Sequence, residues 1–199
     1  MSTGLFQADD HATPLTEEER RELIPSITTR AELNQFERFN INEARVWAMK
    51  PRGLRRGDLL TDSFARELHR RMFNRVWRWA GCYRDTERNL GWAVPRLTEG
   101  VHNALADAQA QLEHAVYLLP EVAVRLHHQL VVIHPWPNGN GRHARLMADI
   151  IVAERGGKEL TWGAGVDLEV AGNVRQRYIE AVRQADQGNF APLLVFARS

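Results

Sequence analysis

Residues 134–145, HPWPNGNGRHAR, put a histidine, an Asn-Gly-Asn-Gly turn and two arginines on one short stretch between the apolar runs LVVI (130–133) and LMADIIVAE (146–154). Glycines at 139 and 141 let backbone N–H groups converge without interference from a Cβ. The following apolar pattern reads as a helix, whose N-terminus offers free N–H donors and partial positive charge. Together these make an anion hole. Arg142 and Arg145 lie three apart in the first turns, so they share a face and can close over the same anion. An anion that wants two arginines and a cradle of amides is most simply a di- or triphosphate. His134 stands just before the turn, fixed by Pro135. As a neutral imidazole it can take a proton from a hydroxyl attacking beside the bound phosphate.

The remaining seven of the eight histidines read as surface or satisfied core residues. His143 lies between the arginines but points off their face. His127 and His128 are adjacent on a helix and cannot both face one ligand. With His134 they lack the i, i+4 pairing that zinc helices use.

The elements that must hold this corner are helical. Residues 1–14 read as a mobile tail, and PLTEEERREL starts a helix with Thr16 as N-cap and Glu19 completing a capping box. A second helix is predicted over 28–49, and KPRGLRRGD (50–58) as a solvated linker. In TDSFARELHRRMFNRVWRWA, Phe64, Leu68, Met72 and Val76 recur on one helical face. GCYRDTERNLGWAVP (81–95) lacks that period and carries Gly and Pro punctuation, which suggests a hairpin or extended loop. Helices resume over 97–115, 120–133 (opened by Pro120), 140–155, 168–185 and 189–197. The expectation is an all-α fold with one short β-like excursion.

The chain of 199 residues is 44% hydrophobic and 26% charged, enough for one domain with its own core. A formal net charge of +1 points to neither a nucleic-acid nor a membrane partner. The basic loop at 50–58 does not supply a basic face, so no nucleic-acid partner is expected. No apolar stretch is long enough to span a membrane, and the N-terminus does not read as a signal peptide. One cysteine, Cys82, fits a reducing compartment, and the expected location is the cytoplasm.

HPWPNGNGRHAR resembles the signature of Fic-domain proteins, HPF-x-D/E-GNGR-x-x-R. His134, Pro135, Gly139, Asn140, Gly141, Arg142 and Arg145 are identical, and Trp136 replaces Phe as the aromatic anchor. RRMFNRVWRWAGCYR (70–84) resembles the helix leading into that family's flap, and YIEAVRQADQGNFAPLLVFA (178–197) its C-terminal helices. Most of the chain resembles the mobile mystery protein B subgroup of that family. The resemblance implies a compact helical bundle, the Fic fold, with a short β-hairpin flap, N-terminal helices over 15–49 and a core domain over 50–199. It also implies transfer of AMP from ATP to a hydroxyl of a target protein. His134 would be the general base, Gly139, Asn140 and Gly141 the anion hole, and Arg142 and Arg145 the phosphate ligands. The segment 84–92 would be the flap on which a target strand, or a segment of the protein itself, adds by backbone pairing.

Where the family carries an acid that holds Mg²⁺, this chain has Asn138, an amide oxygen that can ligate a hard cation without charge. That keeps open a phosphotransferase variant, or a nucleotide-binding regulator or toxin-module component without transfer activity. TTRAELN (28–34) resembles the family's inhibitory helix, S/T-x-x-x-E-G/N, through Thr28 and Glu32. The resemblance implies that Glu32 pairs with Arg145 and blocks productive ATP binding.

Overall fold

A computed structural model describes residues 21–26, 30–49, 59–163, 168 and 172–199. The N-terminal tail, the capping box at Thr16, Thr28 and the 50–58 linker lie outside the described residues. Among those described, seven α-helices run in order: α1 Arg30–Met49, α2 Asp62–Phe73, α3 Leu97–Glu113, α4 Leu119–Ile133, α5 Asn140–Glu154, α6 Asn173–Asp186 and α7 Ala191–Ala197. Each matches a helix expected from the periodicity. Two bounds differ most: α2 stops at Phe73, so Val76 lies beyond the helix whose period it was read into, and α6 starts at Asn173 directly behind Gly172 rather than at 168.

α5 is the centre of the bundle. Its residues Ala144, Leu146, Met147, Ala148, Ile150, Ile151 and Val152 are all buried, so the helix is enclosed on nearly every side. Met147 and Ile151 join the larger core with Leu68, Met72 and Phe73 of α2 and Leu126 and Leu130 of α4. Ala148 and Val152 join a second core with Trp162, Tyr178 and Ala181 of α6, and Leu193 and Phe196 of α7. The segment feeding α5 is therefore anchored from several directions. α2 starts where Thr61 caps it, its side chain accepting from the Phe64 N–H at 3.2 Å.

The expected β-hairpin does not form. Residues 81–93 are an extended loop, and the pairing seen among the described residues is one antiparallel bridge, Leu23 with Trp77. The two legs of the loop dock onto the α4–α5 connection instead of onto each other. Arg84 N–H donates to Pro135 O at 2.9 Å and Trp92 N–H to Ile133 O at 3.1 Å. The Arg84 side chain, fully buried, fills the space between the legs. Its guanidinium donates to the carbonyls of His134 (2.8 Å), Thr86 (2.9 Å) and Trp92. One planar five-donor group thus satisfies carbonyls that a strand ladder would otherwise pair.

Candidate active site

α4 ends at His134, whose backbone is left-handed at φ 54°, ψ 56°. α5 opens at Gly139, also left-handed at φ 77°. The chain reverses between them over Pro135–Asn138. A side chain at 139 is excluded twice, by that φ and because a Cβ there would come within 2.3 Å of Phe73 Cζ. The loop is pinned from inside by Asn140. Its Nδ2 donates to Trp136 O at 2.8 Å and its Oδ1 accepts from the Trp136 N–H at 2.9 Å. Asn140 therefore spends its side chain on the loop and has only its backbone N–H for an anion. The first helical bond is His143 N–H to Gly139 O, 2.9 Å. That leaves the N–H groups of Asn140, Gly141 and Arg142 ahead of the ladder, as an anion hole requires.

Trp136 is buried and stacked at 4.0 Å on His69 of α2. The sequence read His69 only as a surface or satisfied core residue. Gly81 N–H donates to its Nδ1 at 2.9 Å, so the proton of the neutral ring sits on Nε2 and donates to Asn138 O at 3.2 Å. Burial, with the nearby His143 and Arg142, holds its pKa well below the usual histidine value. His143 does the same on the other side of Trp136. Trp136 Nε1–H donates to its Nδ1 at 3.3 Å, and its Nε2 donates to Ala65 O at 3.0 Å. A signal for His69 existed, since it lies in register with Ala65 and Phe73 on a buried stripe.

The two arginines diverge. Arg142 lies over the Phe73 ring at 5.0 Å, and its Nη1 is 2.6 Å from Oε2 of Glu37 on α1. The other oxygen of Glu37 accepts from Trp77 Nε1 at 2.7 Å. Arg145 instead lies over the Tyr178 ring at 5.5 Å and folds back toward Gly141. In this arrangement the two guanidinium groups, expected to share one face, therefore take different neighbours. Glu32 is exposed in the first turn of α1, and Glu37 is a carboxylate that α1 brings to a signature arginine, Arg142. Nothing in the sequence marks Glu37, because a single acid in a run of polar residues reads as solvated.

His134 sits under the 81–93 loop, whose Gly91 is so close that a Cβ there would fall 2.6 Å from the His134 Cβ. Burial is the main cause of a depressed pKa, to about 4; a hydrogen bond to the Val131 backbone opposes the shift, and Arg84 and Arg88 add to it. The ring is neutral at physiological pH and able to accept a proton.

Asn138 Oδ1 accepts from the Gly139 N–H at 2.7 Å. Among the described residues there is no group of three or more His, Cys, Asp or Glu side chains that would hold a metal ion by itself. One neutral oxygen fits Mg²⁺ only where phosphates and water supply most of the coordination. No described helix is long and apolar enough to cross a membrane.

Residues 59–152 match the sequence profile of the Fic/DOC family. The chain is 30% identical over 134 residues to the protein adenylyltransferase Fic of Nematostella vectensis, covering 65% of this chain and 30% of that protein. Its fold is similar to BepC, a VirB-translocated effector of Bartonella tribocorum solved with bound AMPPNP, at a TM-score of 0.63 and 16% identity over 92% of this chain and 97% of that one. It is likewise similar to Fic-1 of C. elegans, at a TM-score of 0.64 and 22% identity over 91% of this chain and 52% of that one. The chain spans less than a third of the length of the curated relatives it matches.

Proposed function

We propose that the chain, whose residues 59–152 match the Fic/DOC family profile, is a protein adenylyltransferase, moving AMP from ATP to a hydroxyl of a protein. The observation that carries the reading is the junction itself: a neutral, half-buried His134 ends one helix while the backbone N–H groups of Asn140 and Gly141, ahead of the helical ladder, open the next. The phosphates lie against those amides and Arg145. The target oxygen attacks the α-phosphorus, its proton passes to His134, the bond to the β-phosphate breaks, and pyrophosphate leaves. The adenylyltransferase names of the similar proteins from Nematostella and Aquifex support this chemistry.

The target, or a segment of this protein in self-modification, lies along the outer edge of the 84–92 loop, where Asp85, Glu87, Asn89 and Leu90 are exposed. Arg84 ties that loop to the His134 carbonyl, so a strand docked there is held in register with the base. A cytoplasmic setting fits an ATP substrate and one unpaired cysteine. α1 restrains the enzyme by bringing a carboxylate to a signature arginine, where it competes with phosphate for the guanidinium.

Asn138 would hold the Mg²⁺ that accompanies ATP, and the ion supplies positive charge against the phosphates. Asn138→Asp should add a charged ligand and lower the Mg²⁺ concentration needed for half-maximal transfer, at the expense of the Gly139 turn only slightly, since Asp accepts from the same N–H. Equal Mg²⁺ dependence in both proteins would remove Asn138 from the ion's shell.

The pH dependence follows from His134. The active form is the neutral one, present above its pKa, so kcat/KM should fall only as pH drops toward about 4 rather than through 6.5. An acid limb near the ordinary histidine value would mean that another group accepts the proton.

Incubation with ATP labelled at either the α- or the γ-phosphate tests the assignment. The α-label is expected on protein. The γ-label there would make the chain a phosphotransferase. Neither label, with ATP bound, would make it a nucleotide-binding regulator, a reading that the uncharged Asn138 favours.

A further inference from the structure

Three consecutive carbonyls at the end of α4 are taken up by the loop that lies over them. Ile133 O accepts from the Trp92 N–H at 3.1 Å, and Pro135 O from the Arg84 N–H at 2.9 Å. Between them, His134 O accepts from Arg84 Nε at 2.8 Å. The other two nitrogens of the guanidinium donate within the loop, to Thr86 O at 2.9 Å and to Trp92 O. One side chain therefore joins the two legs of the loop to each other, and both to the residue read as the base.

The backbone of that residue needs holding. His134 lies at φ 54°, ψ 56°, the left-handed region that residues with a Cβ seldom occupy. This conformation sets both where the imidazole leaves the chain and where the carbonyl points. Relaxation to extended backbone would turn the carbonyl off Arg84 Nε and re-aim the ring. The end of α4 does not prevent this. Its bond from His134 N–H to Leu130 O, 3.1 Å, is made ahead of the two torsions in question. Gly91 lets the loop come close enough to do so, since a Cβ there would lie 2.6 Å from His134 Cβ and 3.0 Å from Arg84 Nη2. The fully buried guanidinium faces the carboxylate of Glu87 only at 3.8 Å, and that side chain is 64% exposed. A buried cation held mainly by carbonyls is an unfavourable way to close a loop, and a neutral side chain would do so with less desolvation. What the planar fork supplies is three donors in fixed directions.

We propose that Arg84 is the positioning residue of the base, its guanidinium holding His134 in the left-handed conformation that aims the imidazole at the reacting hydroxyl. This rests on the reading of His134 given above.

The test uses the full chain as wild type, Arg84→Lys and Arg84→Ala. Lysine keeps the charge, but its one nitrogen cannot reach three carbonyls spread around a plane. The ¹³Cα and ¹³Cβ shifts of His134 differ between left-handed and extended backbone, and in Arg84→Lys they should move toward the extended values. Single-turnover labelling with α-labelled ATP should fall by about 10²-fold, the effect of a shift of about 1 Å at a reacting group, with ATP affinity unchanged by calorimetry. Ethylguanidinium added to Arg84→Ala should restore both the shifts and the labelling. Should Arg84→Ala not fold, Arg84→Lys decides. Unchanged His134 shifts in Arg84→Lys would overturn the proposal, as would labelling at the wild-type rate, or a loss of labelling matched by a loss of ATP affinity. A wild-type chain that binds ATP and never labels would remove the transferase reading, and the carbon shifts would still decide whether Arg84 holds His134.

Discussion

Replacing His134 by alanine is expected to lower AMP transfer to protein by about 10²–10⁴-fold, the usual loss when a general base is removed, with ATP affinity nearly intact. In the proposed site the phosphates are held by the amides that open α5 and by Arg145, none of which depends on the imidazole. The backbone complicates the choice of variant. His134 lies at φ 54°, and a left-handed alanine costs about 1–2 kcal/mol. Asparagine tolerates that conformation better and also lacks a base at this position. His134→Asn should therefore match His134→Ala in lost transfer and exceed it in melting temperature. Single-turnover labelling with α-labelled ATP reads the first quantity, and calorimetry reads ATP affinity. Transfer at the wild-type rate in either variant would show that the proton goes elsewhere.

The helices and the catalytic corner were legible in the sequence because each rests on a local signal. Phe64, Leu68 and Met72 repeat with the helical period, and the glycines at 139 and 141 mark a turn that few other residues can make. What was not legible depends on pairs far apart in the chain. Arg84 reads as one more charge in a polar loop, yet it is buried and holds three carbonyls in the place of a hairpin ladder. His69 meets Asn138 across 69 positions, and Glu37 meets Arg142 across 105. Helical spacing put Arg142 and Arg145 on one face, which is correct for their Cα atoms. Their long side chains then follow different neighbours, Phe73 and Glu37 for one and Tyr178 for the other. Asn140 shows the same limit in reverse, since its place in the signature did not reveal that its amide is folded back onto Trp136.

Those long-range contacts also explain why the corner is stiff before any ligand arrives. Trp136 is held at its backbone by Asn140, on its face by His69 and at its indole nitrogen by His143. Each histidine is kept neutral by burial, so the donors that fix the loop do not compete with it for phosphate. The N–H groups of the first turn are thus positioned in advance, and little reorganisation remains to be done as charge develops on the phosphorus.

Glu37→Gln should have the opposite effects on stability and on nucleotide binding. The Glu37 side chain is 3% exposed and that of Arg142 is 13% exposed, so the pair sits where solvent screens it little. Removing one charge of such a buried pair is a loss of about 3–5 kcal/mol. Trp77 would still find an amide oxygen at position 37, so the helix contact itself survives. ATP would then bring its own negative charge to Arg142, which in the wild type is already neutralised. Binding should tighten by about tenfold or more, and the rise in melting temperature on adding ATP should be larger in the variant than in the wild type. Self-labelling with α-labelled ATP should rise with it, and vanish when His134→Ala is added. Glu32→Gly is the matching comparison, because the inhibitory-helix resemblance predicts the gain there, at an exposed position. A gain from Glu37→Gln alone would put the restraint at the buried carboxylate. A gain from Glu32→Gly alone would keep it in the motif. Weaker ATP binding in Glu37→Gln would mean that the carboxylate holds Arg142 in its binding geometry and that α1 assists the site instead of restraining it.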